Sequence, residues 1–380
     1  MIKSFKLRLY PTAEQEALMW KHVGSCRYIW NYMLDLQQKQ YERGEKHLSA
    51  FDMINLLKPM KKKDGLEWLN ECSAFSYITV CRDLDEAYSR FFKKVSGFPK
   101  FKSRKRSKSN FPIRAQRLYF KDKKLVKVEK IGVVRYRADL EFPIGKGSAK
   151  FTNARISNKN GKWMLTFGME CENQAPILTD MPMGIDLGVK DLAVVAFGEE
   201  RIVFGNINKS AKVRSLNKRI QHLQRAISRK YEANRIGRKY IKTNNILKAE
   251  AKLRKLHARK ANIQQNYLHQ TTHKLISLLP YRVTMEDLNV RGMMKNKHLS
   301  KAIWEQSFYE FIRQMQYKCE WNGIEFVQVG RFFPSSKTCS CCGNIKHDLR
   351  LRDRTYVCEA CGAVIDRDYN AAINLMRYAA

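Results

Sequence analysis

Acidic residues are scarce in this chain. Its 380 residues include 36 Asp and Glu against 72 Lys and Arg, a formal net charge of +36. That excess repels itself unless a polyanion shares the surface. Nucleic acid is the polyanion such a balance fits best. An anionic membrane is the alternative, but the sequence has no long apolar run to enter one. A secretory signal is also missing, since the start, MIKSFKLRLYPT, alternates polar and apolar as a strand does. The expectation is a soluble, cytoplasmic protein. Apolar residues are not scarce. At 44% they exclude wholesale disorder, and the length suffices for two or three domains.

Cysteine is unevenly spread. Cys26, Cys72, Cys81, Cys171 and Cys319 are scattered through apolar stretches and read as small buried hydrophobes. The other five fall between Cys339 and Cys361. Without a secretory context, such clustering points to metal rather than disulfides. Cys339 with Cys342, and Cys358 with Cys361, form two C-x2-C pairs, each followed by a glycine that permits a tight turn. Four thiolates so placed make one closed structural zinc site. Cys341 is spare and could compete for the metal, but it is given no ligand role because Cys339 has the right partner spacing; His347 lies between the pairs and could also substitute.

Read along its length, the chain changes character several times. Residues 4–10 predict a strand ended by Pro11, and Thr12 with Gln15 predicts a capping box. Helices are expected from there, over roughly 48–58 and over 66–94, so that residues 11–95 form a helical domain. Short strands follow: RLYF, KLVKVE, GVVRYR, LEFP, TNARIS and KWMLTFGME, with Asn160-Gly161 turning the last hairpin. Residues 1–10 and 96–172 then make a small antiparallel β-barrel with the helices inserted. A linker at 173–180 leads to an α/β domain. It opens on MGIDLGVKDLAVVAF and RIVFGN, continues through a basic helical hairpin over about 207–278, and adds the strands RVTMEDL and IEFVQV around a helix at 300–323.

Carboxylates occur where apolar strands end. Asp186 lies in MGIDLGV before a glycine turn, where an unpartnered charge is costly and turn amides could satisfy it. Glu286 sits in RVTMEDL at the end of another apolar strand, with Asp287 beside it as an exchangeable candidate. Asp366 and Asp368 open the last helix, and Asp368 could simply cap it. Three carboxylates brought together this way repel unless cations sit between them. Oxygen-only ligation suits Mg²⁺ or Mn²⁺, and two such ions clamp the attacking water and leaving oxygen of a phosphodiester.

The motifs GIDLGVK, EDLNVRGMMKN, SSKTCSCCG, CEACG and DRDYNAAINL, with KLRLYPT and FPKFKSR near the start, resemble those of the TnpB family along the whole chain. These are transposon-encoded nucleases similar to the type V CRISPR effectors. The resemblance implies an α/β multidomain protein with a RuvC-like, ribonuclease-H fold nuclease domain at 181–337 and 365–380. It also implies an inserted zinc ribbon at 338–364, a wedge-like barrel at 1–10 and 96–172, and a recognition domain at 11–95. It places the catalytic acids on Asp186, Glu286 and Asp368, the last preferred to Asp366 for its D-x-N-A-A spacing. It further implies a transposon-end guide RNA, a short target-adjacent motif, double-stranded DNA as target, and a protein on the nucleoid when bound there.

Basic segments then acquire roles. From Lys93 to Lys108 there are eight basic residues and no acid, interleaved with Phe98 and Phe101. Lys100, Lys102, Arg104, Lys105 and Arg106 would neutralise phosphates, and the aromatics could stack on bases. The hairpin over 206–260 carries eighteen basic residues and two acids, which suits a guide–target heteroduplex better than a solvated face of mixed sign. Phe75, Thr79 and Arg82 lie off the apolar face of the 66–94 helix. The resemblance makes them candidates for reading the target-adjacent motif. The alternative function is an RNA-guided or direct DNA-binding regulator of transposition that does not cut. The presence of all three acids argues for the endonuclease.

Overall fold

Alternation over the first ten residues does produce a strand, and it buries Leu7 and Leu9 on one face. The computed structural model describes residues 1–138, 140–172, 176–350 and 353–378. Residues 173–175 of the expected linker, and 379 and 380 at the end of the expected nuclease segment, lie outside the described residues. The chain divides into two units, Met1–Glu172 and Asn173–Ala380.

The first unit runs β1 (Ile2–Tyr10), α1 (Ala13–Glu42), α2 (Ala50–Met60), α3 (Ala74–Phe92), β2 (Ser109–Pro112), β3 (Tyr119–Phe120), β4 (Leu125–Val128), β5 (Gly132–Arg137), β6 (Phe151–Lys159) and β7 (Lys162–Glu170). Its strands form one antiparallel sheet in the order β2-β6-β7-β1-β5-β4-β3. β1 lies between β7 and β5, so the start of the chain is held by residues more than a hundred positions later. The Thr12–Gln15 capping box starts α1, and Ser49 with Asp52 repeats the device on α2. Asn160 and Gly161 both take positive φ, 55° and 77°, as a two-residue hairpin requires. Helices and sheet share one hydrophobic core: Met33, Tyr77 and Leu84 belong to the same cluster as Leu7, Phe111 and Trp163.

Three local expectations fail here. LEFP is not a strand; Phe142 instead enters the core from a loop and stacks on Phe120 at 4.7 Å. Ser109–Pro112 is a strand that the basic run concealed. The helix expected over 66–94 begins only at Ala74, after a separate 3-10 turn at Glu67–Glu71.

The second unit runs β8 (Pro182–Leu187), β9 (Asp191–Phe197), β10 (Glu200–Gly205), α4 (Ala211–Ala233), β11 (Arg235–Ile236), β12 (Lys239–Tyr240), α5 (Asn244–Ile276), β13 (Arg282–Glu286), α6 (Val290–Met293), α7 (Ser300–Gln306), α8 (Phe308–Asn322), β14 (Glu325–Val329), β15 (Thr355–Val357), β16 (Val364–Asp366) and α9 (Arg367–Met376). Five strands form a mixed sheet in the order β10-β9-β8-β13-β14. The first three are antiparallel, while β13 runs parallel to both β8 and β14. Strand periodicity sorts the two faces. Met183, Ile185 and Val195 join a core with Leu275, Phe311 and Met315 of α5 and α8. Val194 and Ala196 face the other way, against Ala372 and Met376 of α9.

The basic hairpin is two helices, α4 and α5, zipped by Leu216, Ile220 and Leu256, with Leu223, Leu253 and Ile263 beside them. Lys260, which sits on the same seam, is paired with Glu305 at 2.9 Å. The bend lies where Gly237 takes a positive φ, within the β11–β12 turn. The helix expected over 300–323 is broken at Ser307, whose φ of 57° is left-handed, and α8 ends at Gly323 as read. Among the described residues, no helix is long and apolar enough to cross a membrane.

Candidate active site and metal centre

β8 and β13 are parallel and in register, with Met285 opposite Ile185. Their next residues, Asp186 and Glu286, therefore stand level at the same end of the sheet. Asp186 shares its face with Gly184, two positions earlier. A Cβ on Gly184 would lie 2.0 Å from the Ala372 carbonyl oxygen and 2.3 Å from the Met376 nitrogen. The backbone of α9 therefore rests directly on β8, and this seats Asp368, in the first turn of α9, over the strand end.

Electrostatics registers the meeting. Burial, then the Glu286 carboxylate, then Asp368 push the Asp186 carboxyl well above the usual range, opposed by the Arg367 guanidinium. The alternative acids are engaged elsewhere. Asp287 pairs with Arg331 at 2.7 Å. Asp366 is the N-cap of α9, accepting from the Tyr369 amide, and pairs with Arg201 at 3.0 Å. Asp368 pairs with the Arg354 guanidinium at 3.8 Å. The three side chains are oxygen donors of one sign, the chemistry hard divalent cations take, but among the described residues only the four cysteines bring their ligand atoms within 4.8 Å of one another.

The cysteine segment folds as its spacing requires. Cys339 and Cys358 each accept, through their carbonyl oxygens, the amide of the glycine four residues on: Gly343 at 2.9 Å and Gly362 at 3.0 Å. Both glycines have positive φ, 78° and 73°. These two matching turns bring Cys339, Cys342, Cys358 and Cys361 together, their ligand atoms all within 4.8 Å of one another. The Cys339–Cys361 and Cys342–Cys358 sulfurs are 3.7 Å and 3.5 Å apart. A tetrahedral zinc with bonds of about 2.3 Å spaces its sulfurs by about 3.8 Å, so the four fit that ion. The cluster's thiols act on one another: backbone amides of Cys361 and Ala360 pull the Cys358 thiol down, while the thiols facing Cys342 and Cys361 push those two up. Cys341 is exposed and outside the cluster, as is His347.

The expected nucleic-acid residues are dispersed over the first unit. On α3, Arg82 is exposed. Phe75 is half-buried, with the Arg114 guanidinium over its ring at 5.5 Å, and the Thr79 hydroxyl donates to the Phe75 carbonyl oxygen. The basic segment is fastened to α1: the Trp30 indole donates to the Lys100 carbonyl oxygen, and the Asn31 amide bonds both backbone groups of Lys102. Lys100, Arg104, Lys105 and Arg106 are exposed. Lys102 differs. Its ammonium lies 3.3 Å from the centre of the Trp30 ring, and desolvation brings its pKa down to about 8.

Three family models match separate parts of the chain. A model described as "Helix-turn-helix domain" covers residues 1–46, "Probable transposase" covers 168–297, and "Cas12f1-like, TNB domain" covers 308–375. A Streptomyces pristinaespiralis protein named "Putative RNA-guided DNA endonuclease" is 30% identical over 374 residues, 98% of this chain and 88% of that protein. "TnpB-like protein L79" of Acanthamoeba polyphaga mimivirus is 32% identical over 131 residues, 33% of this chain and 24% of that protein. The chain belongs to the TnpB family. A solved structure, "Structure of the mini-RNA-guided endonuclease CRISPR-Cas_phi3", matches 99% of this chain and 92% of its own at TM-score 0.50 and 12% identity, which shows a shared fold.

The family motifs contain residues whose work sequence reasoning missed. Gly184 of GIDLGVK is the floor on which α9 rests. Asn370 and Asn374 of DRDYNAAINL hold the loop that enters the cysteine cluster. Ser335 of SSKTCSCCG donates to Glu286 Oε1. The motif strings were the available signal, but only the packing says which atoms meet.

Proposed function

We propose that this protein is an RNA-guided DNA endonuclease whose hydrolytic centre is Asp186, Glu286 and Asp368. The observation that carries the chemistry is the convergence of these carboxylates at one end of the mixed sheet, in a chain of net charge +36. Guiding by RNA is the activity in the name of the relative that spans nearly the whole chain. The sheet order supports a RuvC-like, ribonuclease-H fold for 181–337 and 365–380, with a zinc ribbon at 338–364. Residues 1–10 and 96–172 would be the wedge-like barrel, and 11–95 the recognition segment.

Magnesium or manganese ions, two in number, would be held by Asp186, Glu286 and Asp368 and supply neutralising charge and Lewis acidity. The chain's own part is to hold the carboxylates in place before the DNA arrives. Asp186 and Glu286 are fixed by paired strands and Asp368 by a helix seated on the strand. Water adds to phosphorus, the bond to the 3′ oxygen breaks, and a 5′-phosphate and a 3′-hydroxyl result. This chemistry requires no histidine base. Arg104, Lys105, Arg106, Lys100 and the α4–α5 hairpin would neutralise RNA and DNA phosphates, while base pairing with the guide reads the target sequence. Phe75, Thr79 and Arg82 are the proposed readers of the target-adjacent motif. The protein would work in the cytoplasm, on the nucleoid when bound to target.

The test is sequencing of RNA that co-purifies when the native flanking DNA is present. One discrete species, which then programs Mg²⁺-dependent cutting of a matching DNA, is the expected result. Bulk cellular RNA alone would leave a direct DNA binder.

A further inference from the structure

Glu286 ends an edge-ward strand, and a free glutamate there can swing through several rotamers. In this structure it is held. The Ser335 hydroxyl donates to Glu286 Oε1, and Ser335 is 3% exposed. Glu286 Oε2 has no hydrogen-bond partner among the described residues. Ser335 is itself fixed from behind: its carbonyl oxygen accepts from the Asn374 side-chain amide at 2.7 Å. The same amide bonds the Thr338 carbonyl oxygen at 2.7 Å, and Asn370 bonds it too, at 2.7 Å. Asn370, which is fully buried, also accepts from the Ser340 amide at 2.9 Å. One helix, α9, thus carries Asp368 and grips the loop that aims Ser335 at Glu286.

We propose that Ser335 is a positioning residue for a divalent-cation site: its hydroxyl occupies Oε1 of Glu286 and leaves Oε2 facing a cation shared with Asp186 and Asp368. This rests on the reading of Glu286 as a cation ligand. Partners of this kind fix a ligand's orientation, and their loss costs about 10- to 100-fold in metal affinity or activity. The α9 contacts explain why a loop residue can do this. A hydroxyl on a freely moving loop would lose more ordering entropy than its hydrogen bond returns.

The test is Mn²⁺ binding to the zinc-loaded full chain without nucleic acid, read by electron paramagnetic resonance, with zinc content measured on each sample. Ser335→Ala should weaken Mn²⁺ binding about 10-fold while zinc content stays at the wild-type level. Ser335→Thr, which keeps the hydroxyl, should restore binding. Glu286→Gln should weaken it at least as much as Ser335→Ala. Unchanged binding in Ser335→Ala, with Glu286→Gln impaired, would overturn the inference and leave the acid centre standing. Unchanged binding in Glu286→Gln would overturn the acid centre itself. Loss of zinc in Ser335→Ala, or failure of Thr to restore binding at normal zinc content, would assign Ser335 to packing alone and also overturn the inference.

Discussion

The second unit holds two groups of side chains, four cysteines and three acids, built on opposite principles. The four cysteines come from one short segment, and two glycine turns preassemble them. The three acids come from distant parts of the unit, and strand register together with α9 lying on Gly184 brings them to one end of the sheet. In the first group, local sequence fixes geometry. In the second, the fold fixes geometry against the mutual repulsion of the carboxylates. A zinc knuckle can therefore be recognised from spacing, whereas an acid centre needs the whole sheet.

The largest effect should separate the two clusters. Cys358→Ser should abolish stoichiometric zinc and lower unfolding free energy by on the order of 4 kcal/mol, measured by elemental analysis and denaturant unfolding. A purified wild type without zinc would break the comparison at once. The next effect acts on the acids alone. Gly184→Ala forces α9 away from β8 and with it Asp368. A displacement of about 1 Å costs on the order of 100-fold in cutting rate, while zinc content stays normal. Cutting at the wild-type rate would mean that α9 does not set the position of Asp368.

Legibility followed the same division. Both cysteine pairs, their glycines and the four ligands could be read from spacing, because every contact is local. The strand-end acids stood out as candidates from the cost of placing a carboxylate in an apolar run. The choice of Glu286 over Asp287, and of Asp368 over Asp366, came from resemblance; in the structure Asp287 pairs with Arg331 and Asp366 caps α9. The break at Ser307 could not be read, because the apolar period continues through it and only the left-handed backbone interrupts the helix. Ser335 was equally hidden. A serine in a loop becomes informative only when Asn374 fixes its carbonyl and Glu286 meets its hydroxyl.

The smallest expected effect lies in the first unit, where charge acts without ligation. Replacing Arg104, Lys105 and Arg106 together by Ala should weaken RNA binding and lower the slope of log affinity against log salt by about 2 to 3. Folding stability should not change. Lys102→Ala should do the reverse, losing stability with little change in salt slope, because Lys102 packs on Trp30. The same salt response in both variants would remove the distinction between them.

The central claim is that three acids cut DNA that the guide has already selected. The most direct measurement compares Asp186→Ala with wild type, both loaded with guide RNA, for Mg²⁺-dependent cutting and for binding of the matched duplex. The account predicts a cutting rate lower by about 1000-fold or more, with guided binding unchanged. Cutting that persists, or binding that falls with it, would contradict the account.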